Sequence, residues 1–270
     1  MEHLLSQWPR TSSDALGEKA VNCPDHGFFV ATGMRYAIGK MTKEIWTTCP
    51  ACEEARLAAQ RQADAIAKAE AMRAQLEGML SEAAIPARFI GRTLENFHAS
   101  SPAQRVALQA AKDFTENFDV AVKRGNGLIF SGLPGTGKSH LATAVLQAIM
   151  PAHCGLYVTC IGLIRAVRAT WRRDSERSEK EVLDLFCGVP LLVLDEIGVQ
   201  YGTDGEQTIL FDVLDRRYRD LKPSILLTNQ DKAGFKQYIG ERVFDRLTET
   251  SKWVAFDWQS YRATARREAA

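Results

Sequence analysis

The sequence predicts an α/β protein: a five-stranded parallel sheet covered by helices on both faces, preceded by a small metal-held module and a long helix. Three observations carry this expectation. From residue 128 onward, short apolar runs alternate with helical stretches, the pattern of a parallel sheet. One of those runs opens into Gly132-Leu133-Pro134-Gly135-Thr136-Gly137-Lys138-Ser139, a complete phosphate-binding loop. Upstream, Cys23-x-x-His26 and Cys49-x-x-Cys52 are spaced as the two knuckles of a zinc site.

Composition narrows the class further. With 270 residues, 46% of them apolar, the chain is long enough for one large domain and one small one. A net charge of +1 makes any nucleic-acid surface a local one. No apolar run approaches the ~20 residues that span a bilayer, and the first twenty residues hold no apolar core of a secretion signal. Cys154, Cys160 and Cys187 are scattered, unlike a disulfide framework, and a reducing cytoplasm is expected.

Taken in order, residues 1–22 are polar and read as a flexible arm. Between His26 and Cys49 lie Phe28-Phe29-Val30 and Glu44-Ile45-Trp46-Thr47, two β-favouring stretches with Gly33 and Gly39 between them. A small zinc ribbon follows, with four protein ligands (Cys23, His26, Cys49, Cys52) and therefore a structural metal. Such a module has almost no core, so the ion would supply its folding free energy, ~10–16 kcal/mol in finger peptides.

Residues 53–80 are rich in Ala, Glu, Arg and Gln without Pro, a helix on propensity alone. Ala65, Ala69, Met72, Leu76 and Met79 form a thin apolar seam along it. The helix reads either as a solvated spacer or as a docking element for a partner protein. Gly78, Pro86 and Gly91 then punctuate a linker. Ser101-Pro102 opens a helix over 103–122, apolar at 106, 110, 114 and 118. The strands follow at 128–131, 156–160, 191–195, 224–228 and 253–256. The expected organisation is 1–52 zinc module, 53–82 helix, 83–100 linker and 101–270 ATPase domain.

Chemistry gathers at the strand ends, where phosphate sites of such sheets lie. The loop glycines let successive N–H groups surround a phosphate. Lys138 brings a charge to the β- and γ-phosphates of ATP, and Ser139 offers a hydroxyl to Mg²⁺. The helix that begins near His140 aims its positive end at the same anion. Leu191-Leu192-Val193-Leu194 ends in Asp195-Glu196, one acid to hold Mg²⁺ through water and one to orient the attacking water. Asn229, after Ile225-Leu226-Leu227-Thr228, is placed to report on the γ-phosphate. Arg242 and Arg246 share a helix face. They read either as surface ion pairs or as a charge projecting into a neighbouring subunit's site, with Arg246 preferred. Arg262, following Trp253, Trp258 and Tyr261, is a further cation, acting within its own subunit. Residues 165–180 hold six basic side chains against three acids, with Trp171 among them. They form either a solvated helix or a single-strand contact, in which base stacking contributes ~1–3 kcal/mol per base.

With these residues in hand, the chain resembles the AAA+ ATPases, and among them bacterial and phage helicase loaders of the DnaC type. The resemblance covers roughly 85–262. It rests on Ser131-Gly132-Leu133-Pro134-Gly135-Thr136-Gly137-Lys138, on Leu194-Asp195-Glu196-Ile197-Gly198-Val199-Gln200, on Gly240-Glu241-Arg242-Val243-Phe244-Asp245-Arg246 and on Trp253-x-x-Phe256-x-Trp258-x-Ser260-Tyr261-Arg262. Ile85-Pro86-Ala87-Arg88-Phe89 and Leu94-Glu95-Asn96-Phe97 are similar to that family's lead-in. The resemblance implies an oligomeric ATPase without a full lid. Such a protein binds a replicative ring helicase through its N-terminal part and helps place it on single-stranded DNA. Carried over by position, the nucleotide residues are Gly132, Pro134, Gly135, Thr136, Gly137, Lys138, Ser139 and His140. Asp195 and Glu196 match the metal and water site, Asn229 the first sensor, Arg246 the trans-acting arginine and Arg262 the second sensor. DNA contacts fall at Arg168, Trp171, Arg172 and Tyr201. The zinc module is outside the pattern of the best-known members. A transposition helper acting on duplex DNA, and an adaptor switched by ATP with little turnover, are the alternatives.

Overall fold

The computed structural model describes residues 11–38, 41–79, 85–150, 152–199 and 204–261. Two compact units divide between Asp64 and Ala65, inside the long helix α1 (Pro50–Met79).

In the first unit, strands β1 (Thr11–Cys23), β2 (Gly27–Ile38) and β3 (Met41–Trp46) form an antiparallel sheet in the order β1-β2-β3. The arm expected before Cys23 is therefore a strand from Thr11 onward. Its residues have no apolar alternation, but pairing with β2 runs from Thr11 opposite Ile38 to Cys23 opposite Gly27. That ladder satisfies the backbone without needing a second buried face. Gly17, at φ 85°, takes up the register shift after Ala15. The β1–β2 turn brings His26 beside Cys23, while Cys49 and Cys52 flank the start of α1.

The second unit is built on a five-stranded parallel sheet. Its strands are β4 (Gly127–Gly132), β5 (Gly155–Thr159), β6 (Leu191–Ile197), β7 (Ser224–Thr228) and β8 (Ser251–Phe256), in the order β5-β6-β7-β4-β8. Because side chains alternate along a strand, each strand feeds two cores. Leu128, Phe130, Val193, Ile225 and Leu227 face α2 (Pro102–Glu116), α3 (Phe118–Arg124) and α4 (Lys138–Ile149). Ile129, Leu192, Leu194 and Leu226 face the other layer: α5 (Cys160–Ala169), α6 (Glu179–Gly188), α7 (Asp204–Arg219), α8 (Lys232–Ile239) and α9 (Glu241–Thr250).

Three local readings change. The helix expected over 103–122 breaks at Asn117 into α2 and α3, and Asn117 leaves helical geometry at φ −105°, ψ 25°. Leu94 and Phe97, within the stretch read as a linker, are buried in the core under α2 and α4. Ala69 and Met72 of the α1 seam pack into this unit's own core, and Arg73 donates to the Met150 carbonyl at 2.7 Å. Among the described residues no helix is long and apolar enough to cross a membrane.

Candidate nucleotide site and metal centre

Strand β4 delivers Gly132 to the top of the sheet, where only glycine fits. A Cβ there would lie 2.2 Å from the Phe256 carbonyl oxygen of β8, at φ 151°. Gly137, at φ 98°, caps α4, and a Cβ would meet the Phe97 ring at 2.7 Å. Lys138 is buried; its Nζ donates to the Gly132 carbonyl at 2.6 Å and to the Leu133 carbonyl at 2.9 Å. The ammonium is thus held against the loop's own backbone. Thr136 Oγ1 closes the loop on the Leu133 carbonyl at 2.8 Å. Pro134 is exposed at its apex. The segment after β8 straps the loop from outside: Trp258 Nε1 donates to the Thr136 carbonyl at 3.0 Å and the Tyr261 N–H to the Gly135 carbonyl at 2.9 Å. His140 Nε2 meets the Thr93 carbonyl at 2.9 Å, and burial holds its pKa below the ordinary 6.5.

The acidic end of β6 reaches the same place. Asp195 is buried, and its Oδ2 accepts from Ser139 Oγ at 2.7 Å and from the Tyr157 hydroxyl at 2.5 Å. Its Oδ1 accepts from the Glu196 N–H at 2.7 Å. Burial, then the Asp195 charge, pushes the Tyr157 phenol well above its ordinary range. Ser139 and Asp195 place two hard oxygens side by side, the donor chemistry that suits Mg²⁺ carried in with a nucleotide. Glu196 is exposed and held at φ 62°, a backbone setting uncommon outside glycine and typical of functional positions. A register shift between Leu194 and Ile197 accompanies it.

Asn229 is exposed just past β7. Its neighbours lock the three strand ends together. Thr228 Oγ1 donates to the Ile197 carbonyl at 2.8 Å, Gln230 Nε2 to the Gly198 carbonyl at 3.2 Å, and Ser131 Oγ to the Gln230 carbonyl at 2.7 Å.

The arginines divide. Arg246 is ion-paired with Asp215 of α7 and lies 5.1 Å over the Tyr218 ring. Arg242 is exposed, its guanidinium 5.4 Å from the Phe211 ring. In the basic segment, Arg168 pairs with Glu206 at 3.4 Å. Trp171 is 57% exposed, which removes it from the core, and its indole N–H donates to Glu179 at 2.5 Å. Arg172 is exposed. Tyr201 and Arg262 lie outside the described residues.

In the first unit, Cys23, His26, Cys49 and Cys52 present ligand atoms all within 4.8 Å of one another. The Cys23 and Cys52 sulfurs are 3.6 Å apart, and His26 Nδ1 lies 3.7, 3.8 and 3.3 Å from Cys23, Cys49 and Cys52. Bonds of ~2.3 Å to a tetrahedral zinc give ligand separations of about 3.8 Å. Three thiols and an imidazole at these spacings therefore fit zinc. The Asp25 backbone N–H, then His26, pulls the Cys23 thiol down to about 6, while the hydrogen bond with Cys23 pushes Cys52 up to about 11.

A family model described as IstB-like ATP binding protein matches residues 52–269. The chain belongs to this family. Its relatives include the replicative helicase loader DnaC of Escherichia coli K12, 37% identical over 173 residues, which are 63% of this chain and 69% of the relative. Among solved structures, a DnaC helicase loader aligns with TM-score 0.58 and 27% identity, over 63% of this chain and 98% of that one. AMPPCP-bound DnaA from Aquifex aeolicus, at 22% identity, shares the fold with TM-score 0.54, over 66% of this chain and 54% of that one.

The IstB-like match starts at residue 52, so it takes in the whole nucleotide site and leaves out Cys23, His26 and Cys49. Two parts of this family member's site escaped the motif reading. Tyr157 sits mid-strand in an apolar run, where a tyrosine signals only packing. Trp258 belongs to the family-like run Trp253-x-x-Phe256-x-Trp258, but its hydrogen bond to the loop has no signature in spacing.

Proposed function

We propose that this protein is an ATP-dependent loader that places a replicative ring helicase on single-stranded DNA at the start of replication. The observation that carries the reading is the Ser139–Asp195 contact beneath a complete phosphate loop, in a chain 37% identical to a helicase loader. The domain plan is 1–52, a zinc module; 53–82, a helicase-binding helix whose Ala69 and Met72 pack into the ATPase unit; 83–100, a lead-in that adds Leu94 and Phe97 to that unit's core; and 101–270, the rest of the ATPase. The protein acts in the cytoplasm as an oligomer on the helicase.

In this reading the loop N–H groups from Gly132 to Ser139 bind the phosphates, with Pro134, Thr136 and His140 shaping the cradle. Lys138 leaves the loop carbonyls to meet the β- and γ-oxygens. Ser139 and Asp195 hold Mg²⁺, which when bound offsets phosphate charge. Glu196 orients and polarises the attacking water, and Asn229 contacts the γ-phosphate. Arg262 acts from its own subunit. A neighbour supplies an arginine: Arg246 must first release Asp215, whereas Arg242 is already exposed. Such a charge raises hydrolysis ~10³–10⁵-fold. Arg168, Trp171, Arg172 and Tyr201 grip the DNA strand. Cys23, His26, Cys49 and Cys52 hold Zn²⁺ as a structural ion.

The test is Lys138→Ala in the full chain. Nucleotide affinity, single-strand binding and helicase delivery to a primed single-stranded circle are all expected to fall by at least tenfold. Unchanged values in all three assays refute the reading. A transposition helper on duplex DNA is a second reading, since the lead-in from Ile85 to Phe97 and the phosphate loop fit both. A stronger grip on duplex than on single strand would decide for it.

A further inference from the structure

Tyr157 stands on β5 level with Val193 of β6, while Asp195 is level with Thr159. Tyr157 and Asp195 are thus diagonal neighbours on adjacent strands, a separation that long side chains bridge. The ring is buried in the α2–α4 core, 6.3 Å from the Phe89 ring. A phenylalanine would fill that space equally well. The hydroxyl does something else: it reaches Asp195 Oδ2 at 2.5 Å, the same oxygen that Ser139 Oγ approaches at 2.7 Å. The Glu196 N–H holds the other oxygen at 2.7 Å. Asp195 is therefore fixed by three donors, one from each of β5, α4 and β6.

These donors are not equivalent. The Glu196 N–H belongs to the backbone. In the nucleotide reading above, Ser139 turns its hydroxyl to the metal. Tyr157 is then left to hold Oδ2, with the Ser139 hydroxyl the other side-chain group beside its own. We propose that Tyr157 is a positioning residue for the metal-side carboxylate. Its hydroxyl keeps Asp195 in the rotamer that meets Mg²⁺ after Ser139 has moved. This rests on the reading that the loop binds a magnesium nucleotide.

The experiment is a magnesium titration of fluorescent ATP-analogue binding to the full-length protein, comparing wild type with Tyr157→Phe. Loss of one hydrogen bond to a charged group is expected to raise the half-saturating Mg²⁺ concentration about ten- to a hundredfold. Affinity for the analogue in EDTA should stay within about twofold, and so should the circular dichroism spectrum. A merely structural role would move the magnesium-free affinity as well. In an Asp195→Asn background, Tyr157→Phe should shift the magnesium midpoint no further. An equal shift in both backgrounds overturns the proposal, as does an unchanged or lowered midpoint in the single variant. If wild type itself shows no magnesium-dependent binding, the nucleotide reading fails before Tyr157 is reached.

Discussion

Arg217 lies on α7, fully buried at 1% exposure, and its guanidinium is spent on the protein's own backbone. Nη1 donates to the carbonyls of Phe186, Cys187 and Val189 at 2.8, 3.2 and 2.9 Å. Nη2 donates to Pro223 at 2.5 Å, and Nε to Ser224 Oγ at 2.9 Å. One side chain thereby ties the end of α6, just before β6, to the start of β7. These are the strands that carry Asp195 and Asn229. Arg217→Met keeps much of the stem but takes this donor from four carbonyls and a hydroxyl; Pro223 keeps the Leu192 N–H, and each acceptor left buried and unpaired costs about 1–3 kcal/mol. Removing the guanidinium also recovers its desolvation cost of several kcal/mol. With that recovery set against the unpaired acceptors, the net loss is expected at about 3–5 kcal/mol. That is a large part of a typical total of about 5–15 kcal/mol. The control is the next residue. Arg216 is part-exposed and paired with Asp212 at 2.9 Å and Asp184 at 3.4 Å, contacts worth about 0–1 kcal/mol. In urea unfolding followed by far-ultraviolet circular dichroism, Arg217→Met should lower the midpoint by about 1–2 M at a slope near 2–3 kcal/mol/M. Arg216→Met should barely move it. If the two variants unfold within about 0.5 M of each other, the backbone clamp contributes no more than a surface ion pair and the reasoning is wrong.

Other outcomes follow from the same geometry. Gly137→Ala puts a methyl into the Phe97 ring at a positive φ; a stability loss of about 1–3 kcal/mol and a tenfold or greater loss of nucleotide affinity are expected by thermal melts and titration. Stripping zinc with a strong chelator should abolish the amide-exchange protection of residues 11–52 and leave that of the parallel sheet intact; loss of protection in both units would refute the division. His140 is held neutral by burial, so the unfolded chain takes up its proton first. Stability should therefore fall as pH drops through the ordinary imidazole value of 6.5, and His140→Gln should flatten that part of the pH–melting curve.

What the sequence made legible shared one property: the chemistry was local. The phosphate loop, the acidic end of β6 and the paired Cys–His knuckles each lie within a dozen residues or are marked by spacing alone. Apolar runs also located the strands of the parallel sheet, because strands such as β4, β6 and β7, buried on both faces, need them; the edge strand β8 is buried only in alternation, at Val254 and Phe256. The rest depended on partners distant in sequence. β1 is a strand because β2 pairs with it, and Thr11-Ser12-Ser13-Asp14 alone looks like an arm. Arg216 and Arg217 read as twins in a charge run, yet one faces water and the other is fully enclosed. Leu94 and Phe97 looked like a connector because their burial comes from α2 and α4. Tyr157 carried no motif, since its hydroxyl is meaningful only beside Asp195, its diagonal neighbour on the adjacent strand.

The strap over the phosphate loop bears on the order of synthesis. Gly132 leaves the ribosome more than a hundred residues ahead of Phe256, Trp258 and Tyr261, yet those late residues pack against it and bond its neighbours. A nascent chain can form β4 and α4 early, as growing chains generally fold from the front. Its nucleotide cradle remains unfastened until residue 261 has emerged. Translation that stops short of that point would yield a protein that holds the phosphate loop, Asp195 and Glu196 but lacks Arg262 and leaves the loop unbraced.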